Sequence, residues 1–548
     1  MGSLLSALRI VLLLGTSYVL LKVLTRYFGR SPLDNIPGPP SGHWLDGHFK
    51  QFFSRTGWDF YSYLSHNYGP VVKFRGLLGS RCLYVYDPLA LASIVVKDQY
   101  IYEETLTFLN QTHLLLGDGL LATVGERHRK QRRLLNPVFS IAHMRHMIPI
   151  FYNITHKLQD AIAMRVKNGQ SEIDILDWMG RTALELVGQA GLGWSFDPLV
   201  EDTVGGNLGT AVKSIVPNSP NLRLFRPFMP FVHKLGPPAF RRKMIDFIPS
   251  PGLKRARDIS DEIQFHSRHI YEAKKRAMRE GDAAVTQQIG EGKDIMSKLM
   301  QANMSANEED KLPEDELLGQ MSTFIFAGMD TTSNALARTL DLLARHQDVQ
   351  DKLRAEILEA IQEHGPELPY DVLTELPYLD AVCRETLRLH APVPHLLRKV
   401  REDIVMPLSK PIRGLDGTLI SEIPVPEGTL ILIGILASNR NPDLWGPDAE
   451  EWKPERWLNP LPEAVKESHI PGVYSHLMTF LGGGRACIGF KFSQLEMKVV
   501  LVILLAKFTF APSDQGVFWN LAGIQYPTVS KDSVQPQLPM KVGFVKSS

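Results

Sequence analysis

Cysteine is scarce in this chain: among 548 residues only Cys82, Cys383 and Cys487 occur. Three thiols, odd in number and far apart, make no disulfide framework and cannot by themselves ligate structural zinc. They suit a reducing compartment. Charge of one sign is lacking too. Sixty basic and 59 acidic residues leave a formal net charge of +1, which gives no reason to expect nucleic acid as a partner. No internal repeat is found. The one conspicuous glycine-rich loop carries neither G-x-x-x-x-G-K-[ST] nor a strand-to-helix G-x-G-x-x-G, so it is no nucleotide-phosphate cradle. What is present is globular: 44% hydrophobic and 22% charged residues support a large core.

The N-terminal stretch differs from the rest. Leu4 to Leu24, LLSALRIVLLLGTSYVLLKVL, carries only Arg9 and Lys22 as charges, both near its ends. About 20 apolar residues suffice to cross a bilayer. Lys22, Arg26 and Arg30 on the far side predict that the remaining chain lies in the cytoplasm. No small-residue cleavage site favours a removed signal peptide. MGSLLS fits the loose myristoylation pattern, which a spanning helix makes redundant. NIPGPPSG, residues 35–42, reads as a stiff hinge. The expected division is a membrane anchor over 1–30, a hinge over 31–42 and one catalytic domain over 43–548. The sequons at Asn110, Asn153 and Asn303 are expected to stay unmodified on the cytoplasmic side.

Beyond the hinge, PVVKFRG and RCLYVYD read as strands. From about Leu134 the pattern is mostly helical. IDILDWMGRTALELVGQAGLG is an amphipathic helix with a glycine stop. PNSPNLRLFRPFMPFVHKLGPPAF is an apolar, proline-rich loop with a short helix, placed to touch lipid, and REGDAAVTQQIGEGKD is a polar loop. The longest helical candidate runs from Glu314 to Arg345, roughly 45 Å at 1.5 Å per residue. Two more helices follow, then strands in GTLISEIPVPEGTLILIGILASN, then a last helix. The predicted class is mainly α, an α+β architecture with small sheets.

The glycine-rich loop is Thr479–Phe490, TFLGGGRACIGF. A free cysteine is most often a small buried hydrophobe. Here glycines 482, 483, 484 and 489 let backbone N–H groups approach the sulfur. A helix begins just beyond, and its N-terminus favours a thiolate. Arg485 can pair with an anion nearby. A lone thiolate held this way is suited to ligating heme iron. Phe480, Gly483, Arg485, Cys487 and Gly489 also satisfy every fixed position of F-x-x-G-x-R-x-C-x-G. The chain thus resembles the cytochrome P450 family from about Pro37 onward.

Further motifs stand in that family's order. Ala327–Thr332, AGMDTT, sits on the long helix. Gly328 leaves room for a flat ligand, Thr331 can turn its hydroxyl onto the backbone, and Asp330 is an acid placed to pass protons inward. The stretch resembles the family's A-G-x-D-T-T, with Asp330 and Thr331 as the oxygen-activating pair and Ala327 and Gly328 against the heme. In ETLR, Glu385 and Arg388 share a helix face. With Arg456 of WKPERW they match the family's structural triad, although Trp452 and Trp457 fill its aromatic positions. GERHRKQRRLLNPVFS resembles the W-x-x-x-R segment. Arg132 takes the propionate-pairing role and His128 stands where the tryptophan would be. Arg129, Lys130 and Arg133 are candidates for docking an acidic reductase or for a solvated face. In LHAPVPHLLRKVRED both His395 and Arg398 are candidate propionate partners, with Arg398 preferred.

The resemblance implies heme b with an axial cysteine thiolate, O2, and electrons from NADPH delivered by a separate membrane-bound NADPH-cytochrome reductase. It implies insertion of one oxygen atom into a lipophilic small molecule, by hydroxylation or epoxidation, with the enzyme anchored in the endoplasmic reticulum. Residues 106–121, Phe324–Ala327, Val393–Leu397 and 518–524 are mostly apolar and are expected to shape the substrate site. The overall likeness is to fungal members that serve secondary metabolism, terpenoid-like substrates included, or xenobiotic oxidation. Two rivals are a heme-thiolate isomerase or dehydratase acting on peroxides, and a membrane-anchored heme or lipid carrier. Neither needs the Asp330–Thr331 pair.

Overall fold

The computed structural model of the chain describes residues 10, 13–18, 21, 24–25, 28–40, 42–199, 207–222, 225–232 and 234–546. Most of the expected anchor lies outside these residues. Residues 13–18 are helical and exposed. Among the described residues no helix is long and apolar enough to cross a membrane.

In chain order the elements that position the site are α1 (Trp58–Tyr68), β1 (Val71–Arg75), β2 (Arg81–Val85), β3 (Tyr102–Glu103), α2 (Leu106–Leu116), α3 (Gly125–Leu135), α4 (Ile141–Lys167), β4 (Glu172–Asp174) and α5 (Ile175–Leu186). Next come α6 (Asn207–Lys213), α7 (Pro238–Phe247), α8 (Pro251–Glu280), α9 (Glu314–Arg345), α10 (Gln347–His364) and α11 (Pro377–Leu389). The chain closes with β5 (His395–Val400), β6 (Ile404–Arg413), β7 (Leu419–Val425), β8 (Leu430–Gly434), α12 (Phe490–Lys507), β9 (Phe508–Pro512), β10 (Phe518–Asn520), β11 (Tyr526–Thr528) and β12 (Pro539–Phe544).

These elements form two compact units that interleave along the chain. One comprises 1–103, 395–449 and 462–485; the other 104–394, 450–461 and 486–548. The first unit is built on a five-stranded sheet in the order β1-β2-β8-β5-β3, with β6 and β7 as a separate hairpin. Only the β2–β8 pair is parallel, with Cys82 opposite Leu430. Val71, Val72, Leu83, Val85, Ile431 and Ile433 are buried, so both faces of the central strands are covered, as their unbroken β-branched runs require.

The proline-rich hinge is packed against this sheet. Ser31 caps a 3-10 turn over Pro32–Asn35 through a capping box with Asp34. Leu33 and Ile36 are buried. Arg81 donates to both oxygens of Asp34, and the Lys73 amide donates to Pro37 O. The stiffness read from the prolines is therefore supplemented by tertiary contacts.

The second unit is helical, with the three-stranded sheet β4-β12-β9 and the hairpin β10-β11. Helix α9 has the bounds expected from sequence. Glu314, Asp315 and Glu316 occupy its first turn and Arg345 its last, which complements the helix dipole. It packs against α5, α8, α11 and α12. Helix α12 is buried along nearly its whole length, as an all-round apolar helix must be. The 217–240 segment, read as a loop with one short helix, instead forms several turns. The polar 279–294 stretch contains a short helix at Asp282–Thr286.

Docking of the hinge gives a direct test. Ile36→Asp places a charge in an apolar site, where it is costly. Limited proteolysis is expected to leave the wild-type hinge intact and to cut the variant within 31–42, as read by fragment masses.

Candidate active site

Helix α9 is buried along almost its entire length, yet Phe326, Ala327, Gly328 and Thr331 are only partly buried. Positions i and i+4 fall on one face, so Ala327 and Thr331 mark a less covered strip on a core helix. Thr331 Oγ1 donates to Ala327 O at 2.7 Å, which realises the expected turn of the hydroxyl onto the backbone. The helix runs unbroken through this point. An added Cβ at Gly328 would sit 2.4 Å from the Val187 side chain. That glycine therefore serves close packing against the 187–192 segment.

Asp330 is buried, and desolvation holds its carboxyl above the usual range. Lys213, at the end of α6, lies 3.4 Å from Asp330 Oδ1 and donates to Ser333 Oγ at 2.7 Å. Asn334 Nδ2 donates to the same carboxylate oxygen at 3.1 Å. Burial pulls the Lys213 ammonium down, opposed by Asp330. Sequence reasoning missed Lys213, which lies over a hundred residues from its partner. Its one signal was a lysine within the otherwise apolar LGTAVKSIV.

Cys487 is exposed, yet the surrounding protein desolvates its thiol enough to push the pKa up. The Gly489 N–H and the Arg132 charge pull it the other way. Burial outweighs both of these opposing groups. Arg132, on α3, donates to Ala486 O, so the arginine and the cysteine loop are in contact. Desolvation lowers the Arg132 pKa and Cys487 raises it. His128, one turn earlier, is buried.

In the other unit, glycines 482–484 do something different from wrapping a sulfur. Gly483 has φ +66°, and a Cβ there would lie 1.8 Å from Val95 O; at Gly482 it would lie 1.8 Å from Pro471 O. The Gly484 N–H donates to Gln99 Oε1 at 2.8 Å. These three let the loop lie on neighbouring backbone. Phe480 packs edge-on against Tyr474 at 5.5 Å. Arg485 lies 3.9 Å from Glu103. His395 is buried in an aromatic cluster. Its Nδ1 is 2.7 Å from Tyr61 Oη, its ring stacks on Tyr61, and burial lowers its pKa to about 4. Arg398 is also buried and donates to Leu397 O.

Glu385, Arg388 and Arg456 meet as a triad. Arg388 donates to both Glu385 oxygens at 2.8 Å, and Arg456 Nε lies 3.3 Å from Oε1. The Lys453 amide and the Trp457 indole, at 3.1 and 2.9 Å, complete the carboxylate's partners. Trp452 donates to Thr386 Oγ1. Both tryptophans that depart from the family pattern thus carry hydrogen bonds a phenylalanine cannot make.

The exposed thiol with a backbone N–H donor, the adjacent guanidinium and the less covered strip of α9 fit a heme held by sulfur. The fold and these groups define a heme-thiolate oxidoreductase. Residues 37–524 match the family Cytochrome P450, and this chain belongs to it. It is 62% identical over 544 residues to Cytochrome P450 monooxygenase 91 of Postia placenta, spanning 99% of this chain and 100% of that one. It is 50% identical over 548 residues to Cytochrome P450 monooxygenase 219 of the same fungus, spanning 100% of each. It is 48% identical over 543 residues, 98% of each chain, to a ganoderic acid synthetase of Ganoderma lucidum. The protein is a cytochrome P450 monooxygenase, and its cofactor is heme with a cysteine thiolate ligand.

Removing the Glu385 carboxylate strands two buried guanidinium groups. Glu385→Ala is expected to cost about 3–5 kcal/mol, seen as a lowered thermal midpoint and reduced heme content on purification.

Proposed function

We propose that Cys487 is the axial ligand and that Thr331 and Asp330 manage protons beside it, in a monooxygenase that hydroxylates or epoxidises a lipophilic small molecule. The observation that carries this reading is the less covered strip at Ala327 and Thr331 on an otherwise buried helix. Bound heme supplies O2 binding and cleavage, which thiolate donation favours. The residues govern position and protons. Thr331 Oγ1, already committed to Ala327 O, retains lone pairs that can accept from a water on the strip. Burial raises the Asp330 carboxyl and Lys213 opposes that shift, and an acid paired with a buried amine is suited to general acid–base work. Arg132, Arg398 and Arg485 are assigned to the propionates. Arg398 is preferred to His395 because a guanidinium stays cationic, whereas the buried imidazole is neutral at pH 7.

The apolar stretches named from sequence favour a lipophilic substrate. Residues 106–121 and Phe324–Ala327 lie along α9. Trp519, by contrast, donates to Asp341 about 15 Å further along the helix from Thr331. The ganoderic acid synthetase likeness favours a terpenoid and secondary metabolism, with xenobiotic oxidation as the other fungal role. Residues 1–30 are assigned to an endoplasmic reticulum anchor and 43–548 to a catalytic domain on the cytoplasmic side. Exposed Phe228, Phe231 and Leu235, together with Phe240 and Phe247 of α7, support contact with lipid. Helix α7 has no buried residue and is tied to α8 by charge, through Arg242–Asp261 and Arg257–Asp246. Electrons come from a separate NADPH-cytochrome reductase. Arg129, Lys130 and Arg133 are exposed enough to meet it, although Lys130 and Arg133 already bind Glu309 O and Asp310.

Two substitutions test this. Cys487→Ser is expected to abolish the red-shifted absorbance of the reduced carbon monoxide complex; persistence of that band refutes the ligand assignment. In membranes with added reductase and a lipophilic panel, Thr331→Ala is expected to retain heme but to divert NADPH electrons into peroxide. Losing general acid–base assistance is worth about a hundredfold or more in the proton step. Unchanged product per NADPH removes Thr331 from the mechanism.

A further inference from the structure

The segment between α2 and α3, residues 117–124, crosses α9 at an unusually close joint. An added Cβ at Gly119 would lie 2.3 Å from Gly319 O and 2.3 Å from Thr323 Oγ1. One at Gly319 would lie 2.3 Å from the Gly119 amide nitrogen. Two backbones therefore touch there, and neither position has room for a side chain. The Leu120 amide donates to Gln320 Oε1 at 3.1 Å, one residue along on each strand of the seam.

A ring of charge closes over this seam. Asp118 Oδ1 lies 2.5 Å from His113 Nδ1 at the end of α2. Its Oδ2 accepts from Arg127 Nη2 of α3 at 2.8 Å. Arg127 Nε donates at 2.6 Å to Glu316, in the first turn of α9. Gln131 Nε2 donates both to Glu316 Oε2 at 2.6 Å and to the main-chain oxygen of Asp118 at 2.9 Å. Thr123 Oγ1 donates to Gln131 Oε1 at 3.0 Å. Hydrogen bonds from His113 and Arg127 hold the Asp118 carboxyl down to about 2, so this carboxylate stays ionised throughout the neutral range. Gly319 precedes Ala327 by eight residues, which places the joint about 12 Å along the helix from the less covered strip.

We infer that Asp118 is a positioning residue: its ion ring and the Gly119–Gly319 seam fix the apolar strap 106–121 against α9, and this joint sets how bulky a ligand can be seated beside Ala327 and Thr331. The inference rests on the heme-thiolate reading of that strip. Asp118 is assigned this role through its bonds to His113 and Arg127. It acts by denying the strap the freedom to lift, because a glycine–glycine contact has no side chain that can yield and the ring resists separation of the three helices it joins.

The test uses the full-length holoenzyme and two probes of very different bulk, imidazole and 1-tritylimidazole, read by the heme absorbance shift. Asp118→Asn keeps the shape and removes the charge. Its amides over 113–124 are expected to exchange hydrogen about tenfold faster, as a locally loosened segment does. The ratio of the tritylimidazole Kd to the imidazole Kd is expected to fall about fivefold, roughly 1 kcal/mol of relief for the bulky ligand. The reduced carbon monoxide band should be unchanged. Asp118→Glu is expected to restore slow exchange, and Arg127→Gln, which opens the ring from its other side, to reproduce the loosening if Asp118→Asn does not fold. Unchanged exchange in the ring variants overturns the joint, and faster exchange with an unchanged ratio overturns its control of ligand bulk. Failure of the wild type to bind either azole at the iron overturns the heme-thiolate reading and this inference with it.

Discussion

A carboxylate cut off from water must be met on every side, and Glu385 imposes that demand on the helical unit. It sits on α11 with no solvent contact and collects Arg388 from its own helix. From the 450–461 segment it collects Arg456, Trp457 and the Lys453 amide. That short segment belongs to the helical unit although the chain on both sides belongs to the other. Its attachment draws on these bonds together with the contacts of Trp452 to His346 and of Glu455 to Lys352 and Tyr378. Breaking such a cluster leaves unpaired charge in a low dielectric, which costs more than the cluster contributes when intact. The arrangement tolerates no partial version of itself, which explains why three long-range partners converge on a single i, i+3 pair.

The same economy of burial shapes the active site. Lys213 and Asp330 shift each other's protonation from opposite directions inside a nearly dry helix face. Cys487 is raised by desolvation and relieved by one N–H and one guanidinium. In each case burial sets the problem and neighbouring groups of opposite sign moderate it.

Much of this was legible in the sequence wherever local pattern decides. The bounds of α9 follow from its acidic first turn and its apolar period. The strands at 71–75 and 81–85 follow from β-branched alternation, and the Cys487 loop from a motif with five fixed positions. Legibility fails where a partner is chosen across the chain. Nothing near Asp330 announces Lys213, and nothing in GGGR says that Gly483 makes room for Val95 O. Gly489 brings its N–H to the Cys487 sulfur as its place in the loop suggests, whereas the close neighbours of Gly482 and Gly483 are Pro471 O and Val95 O, because φ and clash distance are properties of the fold. Gly328 repeats the lesson with Val187. Trp457 is the converse case. It looked like a mild departure from a pattern and proves to be a donor to Glu385.

The docked hinge has a mechanical meaning. Leu33 and Ile36 are sunk into the first unit, and Asp34 is gripped by Arg81. A flexible tether lets a body tumble freely about its point of attachment, whereas a clamped one transmits torque. Whatever grips the residues before Ser31 therefore also sets the orientation of β1 and β2. The sheet cannot swivel on its leash, and lateral forces on the N-terminal segment arrive at the strands as load.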